Sequence, residues 1–127
     1  PLLTVEQPIQ FVEVNEGDAT AGKMQVVAQV QEYIKNHLSE KLTLADVAAV
    51  FNFSPNYLSQ LFGKYGDSGF VEYITETRIA AAKEMLEQGD WKVYEIAEKL
   101  GYESAFYFSK VFKKVTGLSP REYQQSI

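Results

Sequence analysis

The chain has 127 residues, room for one compact domain, and is 46% hydrophobic with eight Phe and eight Tyr, enough to build a core; its formal charge is −5. The absence of cysteine excludes a disulfide framework and a thiolate metal site, and is compatible with a reducing cytoplasm. No apolar run approaches the roughly 20 residues of a membrane-spanning helix, and no signal peptide is visible, so no membrane association is expected.

Residues 1–22 are acidic, contain two prolines and end in Gly-Asp-Ala-Thr-Ala-Gly. They read as a linker or the remnant of an upstream domain, with Ile9, Phe11 and Val14 suited to a short strand. The first residue is Pro1 rather than Met, so the chain is expected to be a piece of a longer protein. A first helix is predicted from about Met24 to Asn36, where Val26, Val27, Val30 and Ile34 recur at helical spacing. His37 is the only histidine and reads as a helix-end residue, with no nearby partner for metal or catalytic work.

Thr43 to Asp46 resembles a capping box and opens a predicted helix over 44–51. Ser54 and Pro55 pair an N-cap with proline at the first helical position, which opens a helix over 55–64. Leu58, Leu61 and Phe62 would face inward there, and Asn56, Ser59, Gln60 and Lys64 outward. A long helix is predicted from Phe70 to Gln88, stopped by Gly89, with apolar residues on more than one side. Arg78 within it suits an ion pair or a phosphate contact, the structural role being favoured. Trp91 reads as packing.

The stretch Glu95 to Gly117 organises the chain. Ile96, Ala97 and Leu100 mark an apolar stripe, Gly101 supplies a left-handed helix stop, and Ser104 offers a new N-cap. In the following helix Phe108, Val111 and Phe112 can face inward while Lys110, Lys113 and Lys114 project elsewhere. Two short helices joined by a glycine turn, the second one basic, form the pattern of a DNA-reading helix-turn-helix. Ser119 to Glu122 is a full capping box that starts a last short helix.

This unit has an upstream copy. Val47, Ala48, Phe51 and Phe53 match Ile96, Ala97, Leu100 and Tyr102 at an offset of 49, and Ser54, Tyr57, Leu58, Ser59, Phe62 and Lys64 match residues 50 further on. Two copies are too few for a solenoid and suit two helix-turn-helix units, about 43–66 and 92–117. The fold expected is all-α, with the units joined by a long connecting helix. An acidic chain argues against nucleic acid at first sight. The distribution of charge reverses that argument. Residues 47–66 carry no Asp or Glu, and residues 104–121 carry none beside Lys110, Lys113, Lys114 and Arg121. Phosphate attraction is screened beyond about 8–10 Å, so a local acid-free face is what matters.

From Met24 to Tyr123, about four fifths of the chain, the sequence resembles the DNA-binding domain of AraC/XylS-type transcription regulators. The residues that carry the resemblance are Ile96-Ala97, Gly101-Tyr102, Tyr107-Phe108-Ser109, Phe112-Lys113-Lys114, Thr116-Gly117, Ser119-Pro120 and Tyr123. Tyr73, Arg78-Ile79, Ala82 and Leu86 fit the connecting helix. Residues 23–127 would form this domain. The second half is especially similar to the output domains of response regulators of the family. Gly63, where the family usually has a basic residue, and Asp67, where it has the glycine of the turn, depart from the pattern. They imply a weaker phosphate hold by the first unit and a different exit turn.

The resemblance implies that each recognition helix enters a major groove, the two grooves lying about 34 Å apart on one DNA face. Base-edge candidates are Asn56, Ser59 and Gln60 in the first unit, and Ala105, Phe106 and Lys110 in the second. Phosphate candidates are Ser54, Lys64, Ser104, Lys113 and Lys114, with the amides at the helix starts. Tyr57, Tyr107, Phe108 and Phe112 are assigned to the core. Double-stranded DNA is the expected partner and RNA polymerase a candidate second one. The fragment is expected to be monomeric, and the full-length protein dimeric through a missing domain. No cofactor or metal is implied. No nucleophile–histidine pair, metal-ligand cluster or Gly-rich phosphate loop points to an enzyme. The alternative is a helical protein-interaction module that does not bind DNA.

Overall fold

The structure, a computed structural model, describes residues 16–127, with side chains from residue 19. The described residues form seven helices and no strand. They are α1 (Glu16–Lys35), α2 (Leu44–Val50), α3 (Pro55–Tyr65), α4 (Phe70–Gln88), α5 (Val93–Lys99), α6 (Ala105–Thr116) and α7 (Pro120–Ser126). The chain divides into two compact units. Unit 1 takes residues 16–36 and Leu42–Tyr73; unit 2 takes His37–Lys41 and Ile74–Ile127. The long helix α4 therefore begins in unit 1 and continues in unit 2.

The predicted all-α fold holds, and six of the seven helices lie within a residue or two of their expected positions. The exception is α1, which begins at Glu16 rather than near Met24, so residues 16–22 are helical. The Gly-Asp-Ala-Thr-Ala-Gly run suggested a break, since each helical glycine costs about 1 kcal/mol relative to alanine. Its two alanines and the continuous helix downstream outweigh that preference. The strand expected around Ile9, Phe11 and Val14 lies outside the described residues.

In unit 1, α1 and α2 both pack on α3. Val26, Val27, Val30 and Ile34 of α1, Val47 and Ala48 of α2, and Leu58, Leu61 and Phe62 of α3 are all buried. Aromatic contacts fill the remaining space. Phe62 meets Phe70 edge-on at 5.5 Å between ring centroids, and Tyr33 meets Phe51 at 5.8 Å. In unit 2 the core consists of Ile79, Ala82, Leu86, Ile96, Ala97, Leu100, Phe108 and Phe112, with Trp91, Tyr102, Val111 and Tyr123 packed against it. Phe62, Phe108 and Phe112 are wholly inaccessible, and burying each side chain stabilises the fold by roughly 1.5–3 kcal/mol.

The segment His37–Lys41 connects α1 to α2 in sequence but groups with unit 2. Arg78 holds it there, donating from Nη2 to the carbonyl oxygens of Leu38 (3.1 Å) and Glu40 (2.7 Å). The ion pair or phosphate contact considered for Arg78 is thus replaced by backbone acceptors. Both bonds come from one guanidinium nitrogen, which carries two N–H donors.

Candidate nucleic-acid interface

Each unit contains the same helix-turn-helix, built by the same hydrogen bonds. After α2, the N–H of Phe53 donates to Ala48 O (2.9 Å) and that of Asn52 to Ala49 O (3.2 Å). After α5, Tyr102 donates to Ala97 O (2.9 Å) and Gly101 to Glu98 O (3.2 Å). This paired closure needs a left-handed residue at its centre. Gly101 fills the role with φ +81°, and Asn52 fills it with φ +61°. Asparagine is among the few side chains that visit this region readily, so the first turn forms without a glycine.

The next helix then starts from a serine. The hydroxyl oxygen of Ser54 accepts the N–H of Tyr57 at 3.1 Å, and that of Ser104 accepts the N–H of Tyr107 at 3.0 Å. Each serine hydroxyl keeps its own proton, free to be donated to an anion. The first amides of α3 and α6 have no acceptor inside their helix and point outward.

The two helices leave their units differently. Gly117 ends α6 in the left-handed conformation at φ +86°, and Thr116 Oγ1 bridges the exit by donating to Phe112 O and accepting from Leu118 N. α3 ends instead at Gly66 in an extended conformation, φ −96° and ψ 162°. The exit of α3 therefore differs from that of α6.

On α3, Asn56, Ser59, Gln60 and Lys64 are all exposed, as is Ser54 before them. Leu58, Leu61 and Phe62 occupy the opposite, buried face. On α6, Phe106, Lys110, Lys113 and Lys114 are exposed and line an open groove together with Ser109 and Ser119. Phe106 is 75% exposed, and Lys110 Nζ lies 5.5 Å from its ring centroid. A cation over an aromatic face keeps the two side chains together on the surface. Ala105 is only partly exposed and packs against the core of unit 2, which limits what it can present.

One core assignment fails. Tyr107 is 55% exposed, whereas Phe108 and Phe112 are fully buried and Tyr57 is half-buried against Phe53. One residue is a 100° step around a helix, so Tyr107 turns off the face that Phe108 occupies. Its ring lies 6.1 Å from that of Tyr102, which in turn lies 5.3 Å from Phe108. Tyr102 also receives the Arg78 guanidinium at 5.5 Å. Burial pushes the Tyr102 phenol up and the Arg78 guanidinium down, while their mutual attraction opposes both shifts. Arg78 remains charged.

Behind α6, helix α7 acts as a buttress. Tyr123 stacks edge-on against Phe112 at 5.6 Å and its hydroxyl donates to Glu87 Oε2 at 2.7 Å. Gln124 donates to Leu86 O at 2.9 Å. The capping box expected at Ser119 is formed in both directions, Ser119 N–H to Glu122 Oε1 at 2.8 Å and Glu122 N–H to Ser119 Oγ at 3.1 Å. No cluster of three metal-ligating side chains occurs among the described residues, and no described helix is long and apolar enough to cross a membrane.

Comparison with known proteins agrees with this geometry. A family profile described as a helix-turn-helix domain matches residues 47–126. Over 107 residues, 84% of the chain, the sequence is 41% identical to the HTH-type transcriptional regulator YijO of Escherichia coli K12, and it spans 38% of that relative's length. The structure is similar to the C-terminal domain of AraT, a response regulator from Geobacillus stearothermophilus, with TM-score 0.77 and 37% identity, covering 80% of this chain and 84% of that one. It is also similar to the DNA-binding domain of the transcriptional factor AdpA in complex with a target DNA, with TM-score 0.74 and 25% identity, covering 79% of this chain and 90% of that one.

Proposed function

Since the chain belongs to the AraC-type helix-turn-helix family, we propose that it binds double-stranded DNA sequence-specifically, as the output domain of a longer, signal-responsive transcription regulator. The observation that carries this reading is the repeated helix-turn-helix, whose second helix contains no Asp or Glu in either copy. α6 holds Lys110, Lys113 and Lys114 beside an exposed Phe106. AdpA's domain, to which this chain is similar, is described in complex with its target DNA.

α3 and α6 are the recognition helices, each placed in a major groove, the two grooves being neighbours on one face of the duplex. Asn56, Ser59 and Gln60 read base edges from unit 1; Phe106 and Lys110, with Ala105, do so from unit 2. Ser54, Lys64, Ser104, Lys113 and Lys114 hold phosphates. Tyr107, exposed at the start of α6, joins this set as a further phosphate donor through its hydroxyl. The role is non-enzymatic and cytoplasmic, with RNA polymerase as a candidate partner and dimerisation residing outside this chain. AraT and YijO are a response regulator and a transcriptional regulator, which supports an input carried by another domain.

Fluorescence anisotropy of a labelled random duplex at increasing salt tests this reading. Counterion release predicts a linear fall of log affinity with log salt, with a slope of about −0.9 per phosphate neutralised. Affinity that stays flat from low to moderate salt, or no binding at all, would contradict it.

A further inference from the structure

The two exposed helix faces differ in chemistry. α6 carries three cations, Lys110, Lys113 and Lys114, with no Asp or Glu between residues 104 and 121. α3 carries one, Lys64, whose Nζ lies 5.6 Å from the Tyr65 ring centroid, and the exposed Asp67 follows at its exit. The remaining exposed polar groups of α3, Asn56, Ser59 and Gln60, are uncharged. The helix starts differ as well. Pro55 at the first position of α3 has no N–H, whereas Ala105 at the first position of α6 has one. The first turn of α6 therefore offers an anion one more outward amide.

We propose a division of labour between the units: unit 2 anchors the chain on the DNA backbone, and unit 1 supplies most of the hydrogen-bonded sequence discrimination. The proposal rests on the DNA-binding reading above. Backbone attraction scales with the number of phosphates neutralised and is indifferent to sequence. Amide and hydroxyl side chains gain little from phosphates at a distance, but a well-placed amide discriminates adenine from the other bases. A helix with three cations and a helix with three neutral polar groups are thus suited to different tasks.

Gly63 makes the asymmetry adjustable. It lies in α3, is exposed, and a Cβ built there meets nothing within 4 Å. A lysine here places its Cβ in open space and adds a second cation to α3, one residue before Lys64.

The test compares salt slopes and sequence preferences of variants of this chain, with thermal melting as the check that each is folded. Replacing Lys113 and Lys114 together by Ala is expected to flatten the slope on a random duplex by up to about 1.8, against at most about 0.9 for Lys64→Ala. Asn56→Ala and Gln60→Ala are expected to weaken binding to a selected site and erase preference at individual bases, with a smaller loss on a random duplex. Gly63→Lys is expected to steepen the slope by about 0.9 and tighten random-duplex binding severalfold at low salt. A slope loss from Lys64→Ala as large as that of the double variant would overturn the division. A loss in Gln60→Ala that is as large on a random duplex as on the selected site would do the same. Both outcomes leave DNA binding itself standing. If the parent chain shows no salt-dependent binding, the division and the DNA reading fall together.

Discussion

Two residues, one in each unit, decide the turns that aim the recognition helices. Gly101 combines a left-handed backbone with close neighbours, since an added Cβ would sit 2.6 Å from Leu38 O and 2.7 Å from Arg78 Nη2. The carbonyl belongs to the segment that Arg78 holds, so neither contact relaxes without loosening the other. Gly101→Ala is therefore expected to destabilise the fold by about 2 kcal/mol or more, the left-handed conformation alone costing about 1–2. Asn52 is the counterpart in the first turn, and its own side chain already occupies the space that a Cβ needs. Asn52→Gly is expected to be neutral or stabilising by up to about 1 kcal/mol. Urea denaturation of both variants checks the pair; equal destabilisation would mean that the two turns are not the same structure. Gly101 is legible in the sequence because a glycine directly after an apolar helical stripe marks a left-handed stop. Asn52 is not, because asparagine serves turns, caps and surfaces alike. Arg78 stands out among apolar neighbours but its partners do not, since they lie 38 and 40 residues away in the chain.

At the scale of elements, local chemistry specifies the helices well. Thr43, Ser54, Ser104 and Ser119 are recognisable as helix starts from residue type alone, and each hydroxyl accepts the expected amide. The exposure of Tyr107 depends on which surface the rest of the fold covers, and a run of neighbours does not carry that information. The repeat pairs Tyr107 with Tyr57, and Phe108 follows it, so the sequence points it inward while the fold leaves it exposed. The capping box of α7 also has a pH signature. The Ser119 N–H, Lys113 and the Ser119 hydroxyl together hold the Glu122 carboxyl below the ordinary glutamate range. A lowered folded value means that the cap's contribution is complete above the unfolded value and disappears as pH falls through the folded one. The Ser119 amide proton, followed by NMR, is expected to shift with a midpoint below 4.5, the ordinary value, and the shift is expected to vanish in Glu122→Gln. A midpoint at or above 4.5 would show that the carboxylate does not close the box.

At the scale of the whole chain, net charge points the wrong way and its distribution points the right way. A formal charge of −5 coexists with an acid-free run from residue 104 to 121, because the acids are placed on other segments. The repeat makes the division into two helix-turn-helix units legible. The grouping of His37–Lys41 with unit 2 is not, since it rests on Leu38 packing against the unit 2 core and on carbonyls held by Arg78, partners far away in the chain. The exposed side chains of α3 and α6 are legible from periodicity, but the sequences of bases they select are a property of the DNA as much as of the protein.

Selection of binding sites from a random duplex pool tests the central claim most directly, that both helices read DNA together. Sequencing the bound fraction should reveal a bipartite motif whose two parts are centred about one helical turn, roughly 10–10.5 base pairs, apart. A pool that shows no enrichment over its starting composition at low salt would contradict the account.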